Sequence, residues 1–245
     1  MIQENNFKII AYKDLKGMLP AGNNLEAVYE KSKDKVKFDE TLFPVYEGDI
    51  ETATLNLHND IYWEVYYKYV NEREDLLLSQ PVVLGNVHCE VLSFYQGLIA
   101  GEVAAKNMWT RYPDHKDSLA QITGSLKVEE VLFLEGKGLK KSTCLSVLGD
   151  AAIHTLINMH DAEVKGNKLS VQKEFSFPFI YATADRSKHA MKETDWSGHT
   201  LEELTTYFNK EVLDMEYGKA GSNPDMFFNV GTHLSKEYHN YLAKK

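Results

Sequence analysis

Apolar residues recur along this chain with more than one period, and the changes of period mark out segments. FKIIAY at 7–12 is a short apolar run bounded by polar residues, which predicts a strand. ETLFPVY at 40–46 predicts a second, with Pro44 tolerated only near an edge or a bulge. Residues 24–32 between them predict a helix. Neither Gly nor Pro interrupts 50–72, where Leu57, Ile61, Val65 and Tyr69 recur every four residues, so a helix with one apolar face is expected. The run at 76–84 is apolar enough for a buried strand.

The same four-residue spacing continues further on. Val87, Val91, Tyr95, Leu98 and Ile99 predict a second long helix over about 87–109, and Leu148, Ala152, Leu156 and Met159 a third over 145–162. VEEVLFLEGKGLKK at 128–141 predicts a helix or strand ending in a lysine-bearing glycine loop. In SVQKEFSFPFIYATA at 170–184 the period shortens to two: Val171, Phe175, Phe177, Phe179 and Tyr181 alternate, apart from Lys173, which predicts a strand or hairpin. Thr200 with Glu203 forms a capping box opening a helix to Met215, and a last short helix is expected at 234–243. The six prolines act as punctuation. No repeat, low-complexity tract or linker stands out, so one domain over 1–245 is expected. The resulting fold class is α/β or α+β: a single layered domain with several long helices packed on a mixed sheet.

Composition narrows the function. The chain has 245 residues, 43% of them hydrophobic, and a net charge of −9 from 27 basic and 36 acidic side chains. That apolar content argues against disorder, and no run approaches the roughly 18 apolar residues of a membrane helix. The acidic balance opposes general nucleic-acid binding, which depends on neutralising phosphates. Cys89 and Cys144 are too few for a disulfide scaffold and form no Cys-x-x-Cys pair. MIQENNFKII lacks the basic start and apolar core of a signal peptide, so a cytoplasmic setting with two buried thiols is expected.

Three short motifs in the N-terminal half carry a resemblance. KIIAYKDLKGMLP contains Asp14, Gly17 and Pro20; VYEGDIET contains Gly48 and Asp49; VVLGNVHCE contains Gly85, Asn86, His88 and Glu90. In order and spacing these resemble the motifs of the calcineurin-like metallophosphoesterases, with Gly198 and His199 of SGHT near the closing G-H-x-H and His154 or His160 as the intervening histidine. The resemblance implies a pair of divalent metals (Mn, Zn or Fe) held by Asp14, Asp49, Asn86, His154 and His199. Such metals generate a hydroxide nucleophile and clamp phosphate oxygens, with His88 as the catalytic acid. Lys16 stands where the family has its first histidine, Thr52 where it has its second aspartate, and Val87 separates Gly85-Asn86 from His88.

Other constellations are smaller. Asp150 and His154 share a face if 145–162 is helical, as do His88 and Glu102 over 87–109. No Glu-x-x-His pair completes a helical metal site. GKGLKKST at 136–143 sets lysines before an expected helix, as an anion loop does, but departs from the phosphate-loop pattern at Lys140. LSVLGDAA at 145–152 lacks the acidic partners of a nuclease helix. Tyr62, Trp63, Tyr66 and Tyr67, with Tyr69, cover more than one face of the 50–72 helix. Core packing needs a single stripe, so some of these rings project outward, as at protein interfaces.

The first functional reading is therefore a soluble, non-catalytic interaction or assembly protein. It would use that aromatic helical surface on a protein partner or a second copy, with no membrane or general nucleic-acid partner. The alternative is a calcineurin-like phosphoesterase or an inactive relative; only that alternative calls for a metal cofactor.

Overall fold

The computed structural model describes residues 2–69, 78–112, 120–135, 142–159 and 162–177. The expected helices at 200–215 and 234–243, and the end of the 170–184 segment, lie outside the described residues. Among the described residues thirteen strands run in chain order: β1 (Phe7–Ala11), β2 (Leu42–Glu47), β3 (Ile50–Asn56), β4 (Val82–Leu84), β5 (Val87–Ser93), β6 (Leu98–Ile99), β7 (Val103–Arg111), β8 (Ala120–Ile122), β9 (Leu126–Glu135), β10 (Ser142–Val147), β11 (Ala151–Met159), β12 (Ala162–Lys165) and β13 (Leu169–Phe177). From β2 onward they alternate between two sheets. Sheet A has the order β1-β2-β4-β6-β8-β10-β12 and sheet B the order β13-β11-β9-β7-β5-β3. Sheet B is parallel throughout; in sheet A only the β1–β2 pair is antiparallel. The chain thus winds as a solenoid, each coil adding one strand to each sheet, in an α/β protein made mostly of strands.

This path replaces two of the three expected long helices. The 87–109 segment is β5, β6 and β7, and most of 145–162 is the end of β10 followed by β11. The 50–72 segment begins as β3 and becomes helical only afterwards, as a π-helical turn (His58–Trp63) running into α4 (Glu64–Tyr69). The other helices are α1 (Tyr12–Leu15), α2 (Asn24–Lys31) and α3 (Lys35–Asp39). The reason is that these strands bury apolar residues on both faces, so residues four apart are buried as on a helix without sharing a strand face. On β5, Val87, Cys89 and Leu92 belong to the core between the sheets, whereas Val91 is buried outside it. The strands expected at 7–12 and 40–46 correspond to β1 and β2, the end of 76–84 is β4, and the described part of 128–141, residues 128–135, is strand in β9. Pro44 sits opposite Ile9 of β1, one residue before the pairing with β4 begins at Val45, so the ladder to β4 loses no donor there.

A repeat is present after all, and its marker is glycine. Each passage from sheet A to sheet B turns at Gly48, Gly85, Gly101, Gly124, Gly149 or Gly166. A Cβ on Gly85 would lie 2.2 Å from the Gly48 carbonyl oxygen, and on Gly101 2.3 Å from that of Gly85. Gly124 and Gly149 repeat the approach at 2.5 and 2.7 Å, so the corner is a column of backbone stacked on backbone that excludes any side chain. The residue after the glycine ties coils together. Asp49 Oδ1 accepts from the Asn86 N–H at 2.7 Å, and Asn86 Oδ1 from the Glu102 N–H at 2.9 Å.

Between the sheets lies the main core. Its rows run across the coils: Ile50, Val87, Val103, Leu126 and Ala151 from sheet B face Tyr46, Val83, Ile99, Ile122 and Val147 from sheet A. On the outside of sheet A, Phe43, Val45, Val82 and Leu98 pack beneath α1–α3 with Tyr12, Leu15 and Leu25. In register, Val45, Val82 and Leu98 are followed by Gln121, Ser146 and Lys165, so this outer row turns polar after β6. Gln121 is the hinge of that change: its Oε1 accepts from the N–H of Asn24 at the start of α2, at 2.6 Å.

This packing makes two predictions. Gly101→Ala should lower stability by about 2–3 kcal/mol or more in denaturant titration, whereas Gly166→Ala, whose nearest contact would be at 3.8 Å, should change it little. Equal effects would refute the stacked corner. The second concerns Cys89, whose thiol burial pushes up to about 12. Its proton is held more tightly in the folded state than in the unfolded chain. The associated stability is therefore complete below the ordinary thiol range and is lost as pH rises from about 9 towards 12. Iodoacetamide at pH 8 should leave Cys89 and the fully buried Cys144 unmodified in the native protein and label both in urea.

Candidate interaction surface

The helical segment 58–69 closes the N-terminal end of the solenoid. Leu57, Ile61 and Val65, spaced by four, are fully buried in the main core, and the Tyr69 hydroxyl donates to the Phe7 carbonyl at 3.0 Å. The segment is anchored at its start by side chains: Asp60 Oδ2 accepts from the Asn56 N–H at 2.7 Å, and Asn56 Oδ1 from the Asn59 N–H at 3.1 Å. With that stripe committed to the core, the remaining rings stand on the other faces.

They form two stacked rows. In the first, His58 stacks on Tyr62 (centroids 4.8 Å apart, 16° between planes) and Tyr62 on Tyr66 (6.2 Å, 14°). In the second, Trp63 stacks on Tyr67 at 5.7 Å. The rows meet edge to face through Tyr62–Trp63, Trp63–Tyr66 and Tyr66–Tyr67, at 5.1, 5.3 and 5.9 Å. Such geometry suits the ring quadrupoles and holds the rings as one rigid plate. Tyr67 is 59% exposed; Tyr62, Trp63 and Tyr66 are half-buried, and burial pushes the Tyr62 hydroxyl above its ordinary pKa. The four aromatic residues singled out from sequence are therefore brought together.

Sequence reasoning missed the rest of this surface. His58 belongs to it, four residues before Tyr62, and that spacing was a usable signal. Tyr95, 5.6 Å from His58, and Gln96, whose amide nitrogen lies 2.8 Å from His58 Nδ1, join from the next coil, and Arg111, its guanidinium 4.8 Å over the Tyr95 ring, from the coil after that. Only the solenoid winding brings those residues near, and nothing local announces it.

The residues of the metal reading are distributed differently. Asp49 and Asn86 are adjacent, but as neighbouring coils of the glycine corner, where an oxygen of each is occupied by a backbone N–H. Asp14 is exposed on α1, above the outer face of sheet A. His88 and His154 are exposed on β5 and β11, on the outer face of sheet B, with His154 Nδ1 2.9 Å from the Thr155 hydroxyl. Those outer faces lie on opposite sides of the solenoid. His199 and His160 lie outside the described residues, as do Lys140 and most of the GKGLKKST loop. That loop leads into β10 rather than into a helix. Asp150 is a corner residue receiving the Asn167 amide at 3.2 Å, and Glu102 is likewise at a corner, so neither shares a helix face with a histidine. Among the described residues, no three His, Cys, Asp or Glu side chains converge to hold an ion.

His88 instead borders a cavity of about 500 Å³ on sheet B, with Glu51, Ala53, Glu90, Lys106 and Glu129. The cavity adjoins a bulge: opposite Lys106, β9 supplies both Glu129 and Glu130. Asn107 locks that bulge, donating to Glu130 at 2.9 Å and accepting from the Val131 N–H at 3.2 Å. The charges are largely spent on one another. Lys106 lies 3.5 Å from Glu130, and Lys127 donates to Glu129 at 2.8 Å, holding that carboxyl below its usual pKa.

Comparison with known proteins adds nothing to this geometry. No protein-family model, curated protein or solved structure matches the chain.

The corner bonds make one prediction. Asn86→Ala should cost about 1–2 kcal/mol of stability, the loss of one hydrogen bond and of the acceptor for a neighbouring N–H. It should leave the metal content of the purified protein, read by elemental mass spectrometry, unchanged. A bound transition metal lost in this variant would show that Asn86 serves as a ligand.

Proposed function

We propose that this chain is a non-catalytic interaction or assembly protein, and that the aromatic plate on its capping helix is the surface it presents to a partner, here a second copy of the chain. One observation carries the reading: the helix satisfies the core with Leu57, Ile61 and Val65, yet carries a cluster of preorganised rings on its other faces. Large rings contribute contact area at little conformational cost, which is why Tyr and Trp anchor interfaces. Capping a solenoid end requires only the aliphatic stripe, so the rings are surplus to folding. Their amphipathic character fits a surface that is wet when free and covered when bound.

The test is self-association, measured by sedimentation over a range of concentrations. The wild-type chain should form a defined oligomer. Trp63→Ala or Tyr66→Ala should each weaken it by about 2 kcal/mol, roughly thirty-fold in dissociation constant. Val36→Ser, at an exposed position on α3, should not. A chain that stays monomeric throughout, or variants that associate like the wild type, would remove the aromatic plate from this role.

A further inference from the structure

The outer face of sheet B changes character along its strands. Leu55, Leu92, Met108, Leu132 and Leu156 share one register row, and all belong to the core between the sheets. Because side chains alternate across a strand, the next row, Asn56-Ser93-Trp109-Phe133-Ile157, points away from that core. So does the row on the other side, Thr54-Val91-Asn107-Val131-Thr155-Lys173. These positions are nevertheless not solvated. Trp109, Phe133 and Ile157 are 8%, 2% and 0% exposed, and Val91, Val131 and Thr155 are also buried. The described helices pack elsewhere, α1–α3 over sheet A and α4 at the N-terminal end. Neither Trp109 nor Phe133 is without a partner.

We propose that this outward apolar surface is the seat of the chain's own C-terminal segment, residues 178–245. Three observations select that occupant. First, β13 ends at Phe177 in sheet B, two residues beyond the position paired with Ile157 of the apolar row, so the segment starts at the rim of this face. Second, the segment's sequence has an apolar stripe to cover: Leu201, Leu204, Phe208, Val212 and Met215 recur at helical spacing behind the Thr200–Glu203 capping box. Third, the sizes agree. A helical stripe from 201 to 215 is about 20 Å long, and the buried part of the face, from β5 to β11, spans three strand spacings, about 15 Å.

The experiment uses the full chain with Phe133 replaced by p-benzoyl-phenylalanine, a ring of similar character, followed by irradiation and peptide mass spectrometry. The expected result is intramolecular cross-links to 178–245, independent of protein concentration and lost on adding Leu204→Glu and Phe208→Glu. Photo-leucine incorporated into the otherwise unsubstituted chain gives a second readout that needs no substitution in the sheet: Leu201 and Leu204 should cross-link to β7, β9 or β11. Cross-links from position 133 to a second copy, or only to 113–119 or 136–141, would overturn the assignment. So would the absence of cross-links between sheet B and 178–245 with both probes.

Discussion

At the glycine corner backbone rests on backbone with no room for a Cβ, and the rest of the fold depends on that contact. Parallel strands ordinarily need long crossovers, usually helical, to return the chain to the start of the next strand. Here the return journey is itself a strand of the opposite sheet, which works only if the chain turns within a few residues at one end. Gly85, Gly101, Gly124 and Gly149 allow that turn by letting each coil rest directly on the carbonyl of the one before. The side chain after each glycine is then free to act between coils. Asp49 and Asn86 do so by accepting backbone N–H groups that the turn leaves outside the sheets.

A tight corner on one side moves all variation to the other. Passage from sheet B back to sheet A is as short as the two residues between β11 and β12, and as long as the stretch from β3 to β4, which contains the capping helix. That inequality explains why the repeat escapes inspection of the sequence: the six corner glycines are unevenly spaced because the opposite turns differ in length. It also explains the aromatic plate. The first coil of a solenoid exposes the apolar rows that every later coil hides, so it needs a lid, and an insertion at the variable side is where one arises. Once there, the helix has one face fixed by the core and others on which rings accumulate.

How much of this is legible in the sequence depends on which signals are ambiguous. The strands at 7–12 and 40–46 are readable because each is short and ends in polar residues. The segment from 170 is readable as far as 177, where the described residues end, because it alternates apart from Lys173. The 87–109 and 145–162 segments read as helices because apolar residues on both faces of these strands fall four apart: Val87 faces the core between the sheets and Val91 the opposite side. Gly97 and Gly101, lying inside the first of these, are the contrary signal, since a buried helix interior rarely carries two glycines. The Gly-Asp and Gly-Asn pairs stand out in the sequence as unusual. Their local chemistry, a carboxylate or amide oxygen held at a sharp turn, suits a metal site and a solenoid corner alike. The distinction rests on what lies across the turn, here another turn, and that is long-range information. Likewise Tyr62, Trp63, Tyr66 and Tyr67 are legible from helical spacing, whereas Tyr95 and Arg111 are not.

The bulge in β9 connects the two characters of sheet B. Before it, outward positions such as His88, Ala104, Lys127 and Ala152 are charged or small. Beside it β5, β7 and β11 change phase, their outward positions passing from Glu90, Lys106 and His154 directly to Val91, Asn107 and Thr155, while the extra residue lets β9 keep its alternation through Glu129 and Val131; the row beyond carries Trp109, Phe133 and Ile157. A phase shift of this kind would ordinarily pull core residues into solvent. The inward row survives because Leu92, Met108, Leu132 and Leu156 resume it immediately. Asn107 makes the shift permanent: buried at 1% exposure, it bridges both strands across the bulge, so a chain that lost it would have to leave a backbone N–H unpaired in the sheet. One residue pair thus separates a solvated half of the face, with its paired charges, from an apolar half that remains buried.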